Sequence, residues 1–194
     1  MVSAAALTFI LMGVLAAITS AIVAGRRAAT LRRLNAVPEV PIASAVIGQP
    51  VRITGTVAAD GPERVVGAFS GSPGVIAVSE RWELTSRGQR LRRLDRSVRA
   101  TPFVLEDASG RVVVAADDAV EVAVEVSPTK VATSGPNRVF GAGVIAANLN
   151  GTQETLEGVI PIGARVSASG VLRRRDDGTL ELVGAPKLLV AELR

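Results

Sequence analysis

Hydrophobic and polar positions follow two different regimes along this chain. In the first, residues 1–25 carry no charged side chain, and Ala4 to Ala24 reads AAALTFILMGVLAAITSAIVA. Those 21 residues make a helix of roughly 32 Å at about 1.5 Å per residue, close to one bilayer core. Gly13, Thr19 and Ser20 are tolerated in it because a helix satisfies its own backbone groups. Ala17 and Ala21 give a small-residue face, but in so alanine-rich a stretch composition explains it better than helix pairing. The expectation is one N-terminal transmembrane α-helix over residues 1–25, with 4–24 in the lipid. A cleaved signal peptide needs a basic start and a shorter apolar core, whereas Met1-Val2-Ser3 offers only the terminal amine.

Arg26, Arg27, Arg32 and Arg33 follow with no acid among them. Arginines just after a span hold that side in the cytoplasm. This predicts an N-out, C-in signal anchor in the plasma membrane with the C-terminal domain cytoplasmic. The same four arginines are candidate contacts for anionic lipid headgroups; setting topology alone is the plainer reading. Residues 26–45 form a basic juxtamembrane segment whose helix stops before Pro38 and Pro41, leaving Val37-Pro38-Glu39-Val40-Pro41 as a short, stiff, extended linker.

The second regime, over residues 46–194, has a period of two. Val78, Trp82 and Leu84 alternate with Ser79, Arg81, Glu83 and Thr85, with Glu80 the polar exception on the apolar face. Ser86-Arg87-Gly88-Gln89 turns the chain into Arg90-Leu91-Arg92, a hairpin signal. Leu91 and Leu94 are three apart, so the return strand is irregular or becomes helical. Phe103-Val104-Leu105-Glu106 and Arg111-Val112-Val113-Val114-Ala115 flank the turn Asp107-Ala108-Ser109-Gly110. Val120, Val122, Val124 and Val126 alternate with Glu121 and Glu125. Strands follow at 165–173, 179–183 and 187–191. Pro128 to Glu157 is the least regular stretch. Its apolar run 139–147 is too short to span a membrane; it is a buried helix or an interfacial dip, and we favour the first. Eight to ten short strands with Gly and Asp turns predict a barrel or sandwich.

An internal echo favours the barrel. Gly48-Gln49-Pro50-Val51-Arg52-Ile53-Thr54-Gly55-Thr56-Val57 aligns with Gly163-Ala164-Arg165-Val166-Ser167-Ala168-Ser169-Gly170-Val171-Leu172 at both glycines, the first valine and the final apolar residue. A glycine inside a strand marks a sharp bend at a barrel corner. The fold class expected is therefore mainly β: a small OB-like β-barrel preceded by the membrane helix.

Composition mostly excludes. The chain has no Cys, His or Tyr. Zinc, haem and iron–sulfur ligation of the usual kinds are absent, as are a Cys nucleophile, a Ser-His-Asp triad and any disulfide. The net charge of +4, with arginine far outnumbering lysine in an Ala/Val/Gly-rich chain, reads as codon bias. Nucleic acid is not expected: stacking platforms need exposed aromatics, and Phe69, Trp82, Phe103 and Phe140 suit a core. No metal or other cofactor is implied. Ser70 and Ser72, in the loop Ser70-Gly71-Ser72-Pro73-Gly74, could imitate a nucleophile loop, but no His exists to serve as base. Asp107, Asp117-Asp118 and Asp176-Asp177 read as turn residues bonding their own backbone. Arg90, Arg92, Arg93 and Arg96, with Arg87 and Arg99 nearby, are candidates for contact with anionic lipid or an acidic partner. A solvated hairpin bridged by its own acids is an equal alternative.

The order of motifs resembles a known family. G-x-x-V-x-x-x-G-x-V at 48–57 is followed by Ser70-Gly71-Ser72-Pro73-Gly74 and a strand. Then come Pro102-Phe103-Val104-Leu105-Glu106-Asp107-Ala108-Ser109-Gly110-Arg111-Val112-Val113-Val114, Glu157, and the second glycine–valine motif. Over about residues 46–175 this resembles the GIDE-type, or beside-a-membrane, domain of membrane-anchored ubiquitin and SUMO ligases and of many prokaryotic membrane proteins. Gly74 stands where the family usually has Cys or another small residue. The second span and Cys/His RING of the eukaryotic ligases have no counterpart here, so ligase activity does not carry over. The resemblance implies a membrane-tethered β domain that binds other proteins. The function expected is a non-catalytic scaffold with an unidentified protein partner. The alternatives are an extracytoplasmic module of inverted topology and a membrane enzyme using Ser or Asp chemistry.

Overall fold

A computed structural model describes residues 28–85, 89–117, 119–124, 126–132, 153–184 and 187–193. Among them, residues 28–35 are helical (α1), and Ile42–Ser44 makes a single 3-10 turn. Thirteen strands follow: β1 (Pro50–Ala59), β2 (Val65–Val66), β3 (Pro73–Gly74), β4 (Ile76–Leu84), β5 (Arg90–Ala100), β6 (Phe103–Asp107), β7 (Gly110–Val114), β8 (Glu121–Ala123), β9 (Ser127–Ala132), β10 (Gln153–Ile160), β11 (Arg165–Arg174), β12 (Leu180–Val183) and β13 (Leu189–Glu192). No helix among the described residues is long and apolar enough to cross a membrane. The apolar stretch 4–24, Arg26, Arg27, the turn 86–88 and the run 139–147 lie outside the described residues.

Five strands close a barrel in the order β1-β6-β7-β12-β11, with β11 pairing back onto β1. The β7–β12 pair is parallel and the other four are antiparallel. Counted along the barrel alone, the order is 1-2-3-5-4, the OB-like arrangement that the sequence predicts. The core follows the period of two: Ile53, Val57, Phe103, Leu105, Val112, Val114, Val166, Ala168, Leu172 and Leu182 all point inward.

The internal echo acquires a physical meaning here. Its two copies are the two strands that close the barrel, and they pair with each other. Val51 lies opposite Gly170, and Gly55 opposite Val166, with Ile53–Ala168 at the centre. Gly48 donates its N–H to Leu172 O at 2.8 Å, and Gly163 donates to Val57 O at 2.8 Å. The similarity is thus a local two-fold between antiparallel partners. Both inner glycines are required by close approach: a Cβ on Gly55 would stand 2.6 Å from Glu106 O, and one on Gly170 only 2.2 Å from Val183 O.

Beyond the barrel, β13 and β8 extend the sheet from β11, and a second sheet has the order β5-β4-β10-β9. The return strand β5 is β throughout. Its irregularity is two bulges, which leave Leu94 and Leu91 without cross-strand partners; one extra residue per bulge produces the spacing of three. Among the described residues of 128–157, 128–132 belong to β9 and 153–157 to β10.

Candidate functional site

Glu157 organises the motif loop. It lies on β10 opposite Ser79 and is 6% exposed. Phe69 N–H donates to its Oε1 at 3.1 Å and Ser70 N–H to its Oε2 at 2.8 Å. Burial pushes this carboxyl upward, but the Ser70 hydroxyl and the N–H groups of Ser70, Phe69 and Ala68 outweigh it, and the group is held below its ordinary range. Successive N–H groups converging on a carboxylate form an anion nest, here filled by the protein's own side chain. The loop closes through Gly71 N–H to Gly67 O at 3.0 Å and Gly67 N–H to Ser72 O at 2.8 Å. It then runs into β3, paired with β2. A Cβ on Gly74 would stand 2.5 Å from Ile160 O, so at this position the chain accepts glycine alone without shifting.

This arrangement decides what the loop can do. The Ser70 hydroxyl spends its hydrogen bonding inside the loop, on the Glu157 carboxylate and as acceptor from Ser72 N–H at 3.1 Å. A carboxylate stabilised as the anion is a poor base, so Ser70 is not activated as a nucleophile. What the loop does present is apolar: Val66 is 46% and Phe69 41% exposed. This corrects the expectation that Phe69 serves the core, as Trp82 and Phe103 do. Glu157 entered the sequence reading only as a position of the family resemblance, with no role assigned; the acid between Leu156 and Gly158 was the signal.

The arginines of β5 are largely paired within the fold. Arg90 meets Glu154 at 2.5 Å, Arg92 meets Glu83 at 2.5 Å, and Arg93 and Arg96 meet Glu80 at 3.2 and 3.3 Å. Glu80, the polar exception of β4, is buried because it also accepts Trp82 Nε1–H at 3.0 Å. Arg92 keeps 70% and Arg90 42% of the side chain in solvent. Such exposed pairs contribute little, about 0–1 kcal/mol each, and leave guanidinium donors free to face other anions. Arg96 also donates to Val122 O on β8 at 3.2 Å, joining the two sheets at that edge.

The segment 28–45 is seated on the barrel and its extension. Arg52, Ser169, Leu189 and Glu121 are register neighbours across β1, β11, β13 and β8. At the C-terminal end of α1, Asn35 accepts from Arg52 Nη1 at 2.6 Å; nearer the N-terminal end, Thr30 Oγ1 donates to Glu121 at 2.6 Å, and Arg33, between them, forms an ion pair with the same carboxylate. The helix therefore crosses these strands along one row. Its apolar residue Leu34, 1% exposed, sits on Leu189, Ala191 and Ala123, the two alanines leaving room for it. Arg33 is committed to Glu121, while Arg32 remains exposed.

The linker is extended, as expected, but it is also bonded to the barrel. Val40 N–H donates to Arg52 O, and Arg52 N–H to Pro38 O, each at 3.0 Å. Ile42 then enters the main core, its N–H donating to Asp107 Oδ2 at 2.9 Å. Asp107 also accepts from Ser109 N–H at 2.6 Å and Gly110 N–H at 2.9 Å. Burial raises its carboxyl, but the Ser109 hydroxyl, donating at 2.6 Å, and these N–H groups more than reverse the effect, leaving it below its ordinary range. The cleft between linker and barrel, about 390 Å³, is lined by Glu39, Val40, Pro41, Thr54, Asp107, Ala108 and Ser109. No group of three possible metal ligands occurs among the described residues.

Residues 77–188, more than half of the 194, match the family model GIDE, described as E3 ubiquitin ligase. The matched stretch starts after β1, the strand that closes the barrel. A search of curated proteins returned no match.

Proposed function

Because this chain belongs to the GIDE family, we propose that it is a non-catalytic scaffold, a barrel held against a membrane by residues 4–24. The observation that carries this reading is the seating of α1. A free tether needs no buried Leu34, no ion pair from Arg33 and no linker bonded along β1. A barrel that must keep one pose beside its anchor needs all three. The family description names a ligase, but this sequence contains no Cys or His from which a RING could be built, and the Ser70 loop is organised as structure. A protein partner is the natural ligand for the apolar loop around Val66 and Phe69.

The test is fractionation of the full chain carrying a reporter after Arg194. Recovery in membranes after an alkaline wash, with a reporter active in the cytoplasm, is the expected result. Release without detergent defeats the anchored reading. A reporter active only outside the cytoplasm selects the inverted topology.

A further inference from the structure

We propose that the edge strand β5 lies on the bilayer surface, with Leu91 and Leu94 entering the interfacial layer and the exposed Arg90 and Arg92 among anionic headgroups. This rests on the anchored reading above. Three observations place the strand there. First, α1 runs from Asn35 over β1 to Thr30 over β8, so its N-terminal end points past β8, the edge of that sheet. Residues 1–27, with the apolar stretch 4–24, join the fold at that side. Second, β5 is the strand tied to the same edge, through Arg96 and Val122 O. Third, the two bulges release Leu91 and Leu94 from the ladder, and they stand 38% and 39% exposed. Two exposed leucines alternating with arginines on an edge strand are a poor surface for water. They are also a poor template for another strand, because bulges and charge block pairing. They suit the lipid interface, where apolar side chains sink and guanidinium groups remain at headgroup level.

The absence of Cys makes the test clean. The full chain is reconstituted into vesicles of phosphatidylcholine and phosphatidylglycerol as four single-cysteine variants: Leu91→Cys, Leu94→Cys, Leu15→Cys in the apolar stretch, and Asp177→Cys in the β11–β12 turn. Each is labelled with a polarity-sensitive fluorophore and quenched by lipids carrying a nitroxide near the headgroup, and the label at 15 by lipids carrying it at mid-chain, since that position lies about 15 Å from either headgroup layer. Interfacial residues sit about 5–10 Å deep, so labels at 91 and 94 should quench at least about twofold more than the label at 177. Quenching at 15 with 91 and 94 no different from 177 overturns this inference and leaves the anchor standing. No quenching at 15 removes both. Quenching at 91 and 94 that persists in pure phosphatidylcholine retains the leucines and overturns the headgroup role of the arginines.

Discussion

Replacing Glu157 by Gln is the sharpest test of how the motif loop is held. Glutamine keeps the shape and one acceptor oxygen, but turns an NH2 toward loop N–H donors that now point at a carboxylate. Two direct backbone bonds reach that carboxylate, from Phe69 and Ser70. A hydrogen bond to a charged group contributes about 1.5–3 kcal/mol. With one neutral bond of about 1 kcal/mol retained, the expected loss is about 2–5 kcal/mol, or a fall in Tm of about 4–20 °C for a domain of this size. The sign of the pH dependence follows from the carboxyl lying below its ordinary value of 4.5. Its contribution is complete above that value and disappears as pH falls through the lower folded value. Urea unfolding of the full chain in detergent, followed by Trp82 emission from about pH 2 to pH 7, should show the loss near neutral pH and a shallower acid slope below the ordinary carboxyl value in the variant. The slope is reduced and not abolished, because Asp107 and Glu181 are also held below their ordinary range. A variant within about 0.5 kcal/mol of wild type, or one with an unchanged acid slope, would refute the anion nest.

Three further outcomes follow from the packing. Leu34→Ala, with Glu121→Ala, should undock α1: about 2–5 kcal/mol is lost from that seat, read as faster amide exchange at 28–35 while the barrel stays protected. Gly170→Ala should cost about 3 kcal/mol or more, since its Cβ meets a backbone oxygen. Gly48→Ala, with open space but a φ of +83°, should cost only about 1–2 kcal/mol; equal Tm values for the two would contradict the close approach at the barrel corner. Glu80→Ala should shift the emission of Trp82, the sole tryptophan, while far-UV circular dichroism is retained, because Arg93, Arg96 and the indole N–H lose one shared acceptor.

The sequence by itself determined the strands of the barrel and β4, β8 and β13, mostly through their period of two, and the turns, through Asp and Gly; it left β5 undecided and did not reveal β9 or β10. Asp107 and Asp177 do bond the backbone of their own turns. Gly55 and Gly170 were legible as special positions, because glycine in a strand interior marks a bend, a bulge or a close backbone approach; the structure shows the last. The missing Cys and His excluded the usual metal and nucleophile chemistry without any coordinates. Only the tertiary structure decided that the two echoed motifs pair with each other, since register between strands far apart in sequence is set by three-dimensional closure. It also decided the partners of charge. Glu80, Glu121, Glu157 and Glu181 look alike along the chain, yet one holds two arginines and a tryptophan, one seats a helix, one fills a loop and one binds Arg173 and Arg175. An acid's role depends on which donors the fold brings within hydrogen-bonding reach, and short-range sequence carries no record of that distance.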